Sequence, residues 1–346
     1  MENDGSLSII STIKTVSMLL VVGIHESSMW TTSGWFTEPA CESWIIGEIS
    51  SWMGIAAVPL FFFCSGYLYA FQKKNSDSYQ ETKSVISKKF RRLIVPYVFA
   101  SVVWVIPVRI LLNGFNGLIT DFLFAVSPAQ LWFLPALFFV FIIAEAIWSQ
   151  LMELARGGRA FTLLAIALLL FLSSYAINGV IGGFLQLASA FRYFPFFLLG
   201  GLSQAWSIDW SDGKTSFASW TVVVVLMSLW SYISSLRGLG SIGLIVYLLL
   251  WLAVRVCACI AVVSLFFFAR ESRLVKSLGS SSLAQCSLGI YLFHQQVVQL
   301  IILVLNKPFI PPICIALLSF IGALFISWKI TKLLRTLSLP RLLMGG

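Results

Sequence analysis

The sequence predicts an all-α, polytopic transmembrane helix bundle of about ten spans with both termini cytoplasmic. Three observations predict it. Apolar and aromatic residues make up 59% of the 346 positions and charged residues only 11%; the mean hydropathy is +0.92; and the basic residues cluster in short segments between long apolar runs. A soluble domain carries roughly a quarter charged residues, and disorder requires low hydrophobicity with high charge, so both classes are excluded. A bilayer is the solvent that fits, since each spanning helix needs about 20 apolar residues.

Apolar spans read at 7–29, 45–71, 93–112, 130–150, 161–178, 184–206, 216–235, 244–268, 286–305 and 313–333. The leading MENDGS is acidic, and no basic n-region or small-residue cleavage site accompanies the first apolar run, so that run reads as a retained helix. The whole chain, 1–346, reads as a single integral-membrane domain, with the bundle over about 7–333 and a short cytoplasmic tail over 334–346. Two spans are weak: the second, whose start is also compatible with a later residue, and the sixth. Its entrance, 180–192, contains Gly and Ser and is equally compatible with a re-entrant or interfacial stretch.

The loops alternate in charge. With both ends inside, 17 of the 23 basic residues fall in cytoplasmic segments, from Lys73 through Arg341. The outer loops and helix ends hold Arg109, Arg192, Arg237 and Lys307, while Lys14 and Arg255 sit within spans. That split is the positive-inside signature, and an even number of spans satisfies it. The net charge of +9 is therefore a membrane address. No basic stripe interleaved with aromatics is present, so nucleic acid is not an expected partner. Membrane lipids are. The six cysteines include no CxxC and mostly lie in apolar runs, reading as small buried hydrophobes rather than a metal or disulfide framework.

Ionisable groups inside spans are costly to keep there and are functional candidates by default. They are Lys14, His25, Glu26, Glu145, Arg255 and His294, with Arg192 near a helix start. Lys14 and His25 are 11 residues apart, only about 20° from three full helical turns, so both project from one face about 16 Å apart. The pair either lines one tunnel, with a cation for an anionic group and a titratable imidazole deeper in, or divides into a snorkelling lysine and a structural histidine. His294 lies near mid-span beside Gln295 and Gln296, a polar patch that an inter-helix hydrogen bond also explains. Glu145 and Arg255 read either as a buried ion pair or as separate sites. Segment 73–92 carries seven basic residues against Asp77 and Glu81, and serves topology, anionic-lipid contact or a phosphate-binding entrance. Arg91 and Arg92 stand just ahead of Pro96 at the inner interface, where guanidinium groups bind phosphate bidentately.

Taken in order, KTVSMLLVVGIH (14–25), VPLFFFCSGYLYA (58–70), KKFRRLIVPY (88–97), LWFLPALF (131–138), FRYFPFFLLGG (191–201) and SLGIYLFH (287–294) resemble the acyltransferase 3 family of integral-membrane O-acyltransferases. The resemblance covers nearly the whole chain. It implies transfer of an acyl group, usually acetyl from acetyl-CoA, to a sugar hydroxyl of a cell-surface or lipid-linked glycan, in a bacterial plasma (inner) membrane. The family's basic-x10-His motif falls on Lys14 and His25, with Lys where Arg is common. Its Arg-rich start to the third helix falls on Arg91 and Arg92, five and four residues before Pro96, where many members place one at three. Ser65 and Gly66 match an SGY turn in the second helix, and Trp132 and His294 match two supporting positions.

The reading of the residues and the resemblance meet in one expected mechanism. Phosphates of acyl-CoA dock on Arg91, Arg92, Lys89 and Lys14, and the pantetheine arm threads outward to His25, the general base on the acceptor hydroxyl. Glu145 is the candidate carboxylate for orienting His25. No metal is expected. The chain stops five residues after Arg341, so the acceptor is expected to reach the membrane domain directly or through a separate extracytoplasmic protein. The rival reading is a non-enzymatic transporter or flippase for a glycan or lipid-linked sugar, with the same buried groups marking its path.

Overall fold

A computed structural model describes residues 2–31, 37–235, 240–338 and 343–344. Arg237 and Arg341, counted above with the loops, lie outside the described residues. The described chain is helical: α1 (Glu2–Ser27), α2 (Trp44–Asn75), α3 (Thr82–Leu112), α4 (Phe133–Arg156), α5 (Ala160–Ile181), α6 (Leu187–Ala205), α7 (Gly213–Ser235), α8 (Ser241–Phe268), the short α9 (Arg273–Ser280), α10 (Ser282–Leu305) and α11 (Pro312–Thr336). Among the described residues, nine helices are long and apolar enough to cross a membrane. The protein is a polytopic membrane bundle.

The one predicted span outside that set is the sixth. Its helix, α6, exists, but Arg192, Pro195 and the Gly200–Gly201 pair dilute its apolarity. Protein rather than lipid encloses it: Phe194, Phe196 and Phe197 are fully buried. A helix walled by other helices need not be apolar all round. Its entrance, 180–192, is helical except for an interruption over 182–186. Leu185 and Gln186 take positive φ values of 50° and 57°, held by a Leu185 N–H bond to the Phe124 carbonyl (2.8 Å) and by the Gln186 amide donating to the carbonyls of Ala125 (2.8 Å) and Val126 (3.0 Å).

Helix α6 crosses α2 so closely that only glycine fits. A Cβ on Gly66 would lie 1.9 Å from the Phe197 carbonyl oxygen, and one on Gly200 would lie 2.0 Å from that of Phe63. Small residues let helix backbones meet where lipid supplies no hydrophobic drive. The SGY segment is a contact point within the continuous α2.

Helix α3 carries two wide π turns, Phe90–Ile94 and Ser101–Val105. Each ends two residues before a proline, Pro96 and Pro107. Proline supplies no N–H and its ring crowds the carbonyl one turn back, so the helix loosens there. The first π turn sets the directions of Arg91 and Arg92. The second brings the Trp104 indole N–H to the Phe293 carbonyl of α10, 3.1 Å away.

Candidate functional site

A cavity of about 540 Å³ opens between α1, α2, α3, α4, α10 and α11. Its wall carries four cations from three helices: Lys14 of α1, Lys89 and Arg92 of α3, and Arg335 of α11. Gln72, Tyr79 and Gln285 stand among them. Lys89 lies over the Phe141 ring, its Nζ 4.0 Å from the centroid. Burial raises the Tyr79 phenol above its ordinary value, with the Arg92 charge opposing, so at neutral pH Tyr79 stays a neutral hydrogen-bond donor. Among the described residues no carboxylate forms an ion pair with Lys14, Lys89 or Arg92. The cluster thus presents unneutralised positive charge, which suits a polyanionic ligand. Ser65 also lines the cavity, whereas Arg91 does not; Arg91 and Arg92 are both exposed.

Three rings, Phe61, Phe133 and Tyr291, also line the cavity, whereas His25 and His294 do not. Tyr291 sits 6.2 Å from Phe61 and 5.7 Å from Phe133, centroid to centroid. Just past it, 5.9 Å from the Tyr291 ring, is the fully buried His294, and 5.1 Å further on is His25. Because α1 is one unbroken helix, Lys14 and His25 do share a face as the spacing predicts.

The tautomer of His294 follows from its partners. Its Nδ1 lies 2.8 Å from the Tyr291 carbonyl and 3.1 Å from that of Ile290. Carbonyls only accept, so Nδ1 carries the proton and Nε2 presents a lone pair. That Nε2 is buried and has no hydrogen-bond partner among the described residues. Around it a satisfied amide network fixes the α10 backbone. The Gln130 amide donates to the Leu292 carbonyl (2.9 Å) and to Gln296 Oε1 (2.7 Å), the Gln130 N–H donates to Gln295 Oε1 (2.8 Å), and the Tyr291 hydroxyl donates to the Gln130 carbonyl. The inter-helix hydrogen bonding expected of the 294–296 patch is therefore made by the two glutamines, which leaves the His294 Nε2 unused.

Glu145 does not join this group. It accepts hydrogen bonds from the Tyr69 hydroxyl (2.7 Å) and from Thr82 (2.9 Å), and pairs with Lys73 at 2.9 Å. The contacts of antiparallel α1 and α2 give its level: the Cys64 thiol meets the Ile10 carbonyl (3.8 Å), Ser17 meets the Ala57 carbonyl (2.5 Å), and Gly23 faces Met53. Tyr69 is 16 residues along α2 from Met53, which puts Glu145 about 24 Å from the His25 level. It is not placed to orient His25, and it pins Lys73 and the start of α3 near the cavity mouth. Nor does it pair with Arg255, which stacks on Trp251 instead. Trp132 packs between Phe133 and Tyr193, behind the cavity wall.

Arg335, Gln285 and Tyr79 were not singled out by sequence reasoning. Arg335 carries a visible sign, a lone arginine at the end of the last span, but there it reads as topology.

An acyltransferase domain model matches residues 8–332. The chain belongs to the acyltransferase 3 family. It is a membrane acyltransferase domain, and membership implies an acyl-CoA-like donor and an acceptor. No curated protein and no solved structure matches the chain. Among the described residues, no group of three or more His, Cys, Asp or Glu side chains is placed to hold a metal.

Proposed function

We propose that this acyltransferase moves an acetyl group, or a similar short acyl group, from acyl-CoA to a sugar hydroxyl of a cell-surface or lipid-linked glycan at a bacterial plasma membrane, with His25 as general base. The observation that carries the reading is the line from a four-cation cavity, through a ring of three aromatics, to two adjacent histidines. On this reading the Lys14 end faces the cytoplasm, where the donor is, in keeping with the charge asymmetry of the loops.

The nucleotide phosphates bind Arg92, Lys89, Lys14 and Arg335. A pantetheine arm is narrow and uncharged, and suits the aromatic lining at Phe61, Phe133 and Tyr291. Its thioester then reaches the histidine pair. A sugar hydroxyl is a poor nucleophile until its proton is withdrawn. His25 takes that proton as the hydroxyl oxygen bonds to the thioester carbonyl carbon. The tetrahedral intermediate collapses by breaking the carbon–sulfur bond, and the proton held on His25 passes to the departing CoA thiolate. The ester and free CoA are the products. His294 holds its Nε2 lone pair towards this centre and stabilises the charged imidazolium as it forms. A neutral neighbour does this without the repulsion that a second cation would bring.

The test uses purified protein, radiolabelled acetyl-CoA and candidate glycans, with CoA affinity measured alongside. Label on a glycan hydroxyl supports the reading. Glycan crossing the bilayer with no CoA binding supports a transporter instead.

A further inference from the structure

A second group of cations, half-buried, lies on α6 and α8 and takes no part in the scheme above. Arg192 of α6 places its guanidinium 4.5 Å from the centroid of Tyr175, and Arg255 of α8 places its own 3.9 Å from Trp251 and 5.5 Å from Trp230. The two are joined by aromatic contacts: Tyr175 to Phe171 (5.5 Å), Phe171 stacked on Trp251 (5.6 Å), and Tyr193 to Trp251 (6.0 Å). The electrostatic neighbours of Arg255 are Tyr193, Tyr247, Tyr175 and Arg192, with no carboxylate among them.

The hydrogen bonding of this group is incomplete. Arg192 Nε, Arg255 Nη1 and Trp230 Nε1 are buried, and none has a hydrogen-bond partner among the described residues. The ion pairs among those residues are Lys73–Glu145, Arg109–Asp121, Arg270–Glu271 and Lys276–Glu271, and none involves Arg192 or Arg255. Guanidinium groups set among helices of a membrane bundle without counter-charge are expensive to maintain. Their planar donor forks match the oxygens of a phosphate, while the flat indole and phenol faces beside them suit the C–H face of a sugar ring. The group also adjoins the cavity wall, because Tyr193 touches Trp132 (5.6 Å), the neighbour of the cavity-wall Phe133.

We propose that Arg192 and Arg255 bind the phosphate of a sugar-phosphate headgroup, and that Trp230, Trp251 and Tyr175 receive its sugar. The headgroup's role as acyl acceptor rests on the function proposed above. Its binding does not.

The experiment measures binding by tryptophan fluorescence for the full chain in phosphatidylcholine nanodiscs. The probes are farnesyl-phosphate-linked N-acetylglucosamine and the same sugar on farnesol without phosphate. The phosphate probe is expected to bind at least tenfold tighter. Arg255→Gln and Arg192→Gln should each weaken it at least tenfold, with Arg255→Lys in between and CoA affinity unchanged in all three. Equal affinity for the two probes, or wild-type affinity in both glutamine variants, overturns the proposal. Displacement by phosphatidylglycerol at equal concentration overturns it too, by making the site an ordinary lipid contact. Should the glutamine variants fail to fold, the comparison of the two probes on wild-type protein still decides. Absence of CoA binding by wild-type protein would sink the acyl-transfer reading and leave this one standing.

Discussion

The rings of His25 and His294 lie 5.1 Å apart and inclined at 51°, one on α1 and the other on α10. Backbone carbonyls hold the proton of His294 on Nδ1, so the pair has one fixed tautomer and one bare nitrogen.

His294 is therefore expected to support the reaction without binding the donor. His294→Ala should lower transfer by about 10²-fold, the lower end of general acid–base contributions, and leave CoA affinity within twofold. A steady-state assay with a CoA-binding control reads both. Wild-type turnover in His294→Ala would show that the ring is structural only.

The cations at the cavity mouth divide by position. Arg92 and Arg335 line the cavity, and Arg91 does not. Hydrogen bonds to charged groups contribute about 1.5–3 kcal/mol, so Arg92→Ala and Arg335→Ala should each raise the Kd for CoA by about tenfold or more. Arg91→Ala should leave it nearly unchanged. Calorimetry on the three variants checks the order. An equal loss in all three would mean that the basic segment acts as a diffuse field.

Glu145 anchors the cavity mouth through Tyr69, Lys73 and Thr82, with its side chain only 3% exposed. Glu145→Gln keeps the shape but removes the charge that Lys73 faces. The expected cost is about 1–3 kcal/mol of stability, read as a lower Tm in detergent, together with weaker CoA binding. A full loss of turnover at unchanged stability and CoA affinity would return Glu145 to the catalytic role.

The α2–α6 crossing should reject any side chain. Gly200→Leu puts atoms where the Phe63 carbonyl stands, and overpacking costs about 1–3 kcal/mol or more. Thermal unfolding followed by circular dichroism tests it. An unchanged Tm would show that the helices separate freely.

Much of the bundle was legible because a bilayer imposes one rule on every span, and the α1 face shared by Lys14 and His25 followed from helical geometry alone. What could not be read were contacts between distant segments. Glu145 meets Tyr69 across 76 positions, and α11 brings Arg335 to a cavity begun by Lys14. No periodicity encodes either. The π turn at Phe90–Ile94 was also hidden, although Pro96 signals some irregularity. It lies where one of two adjacent arginines, Arg92, lines the cavity and the other, Arg91, does not. Span six reads weakly for a related reason. Hydropathy measures fitness for lipid, and α6 is surrounded by protein.

The most direct test of the account is acetyl transfer by His25→Ala, measured with radiolabelled acetyl-CoA beside wild type at equal expression and with CoA affinity determined for both. The account predicts that transfer falls by at least about 10²-fold while CoA affinity holds. Wild-type transfer by His25→Ala would contradict it.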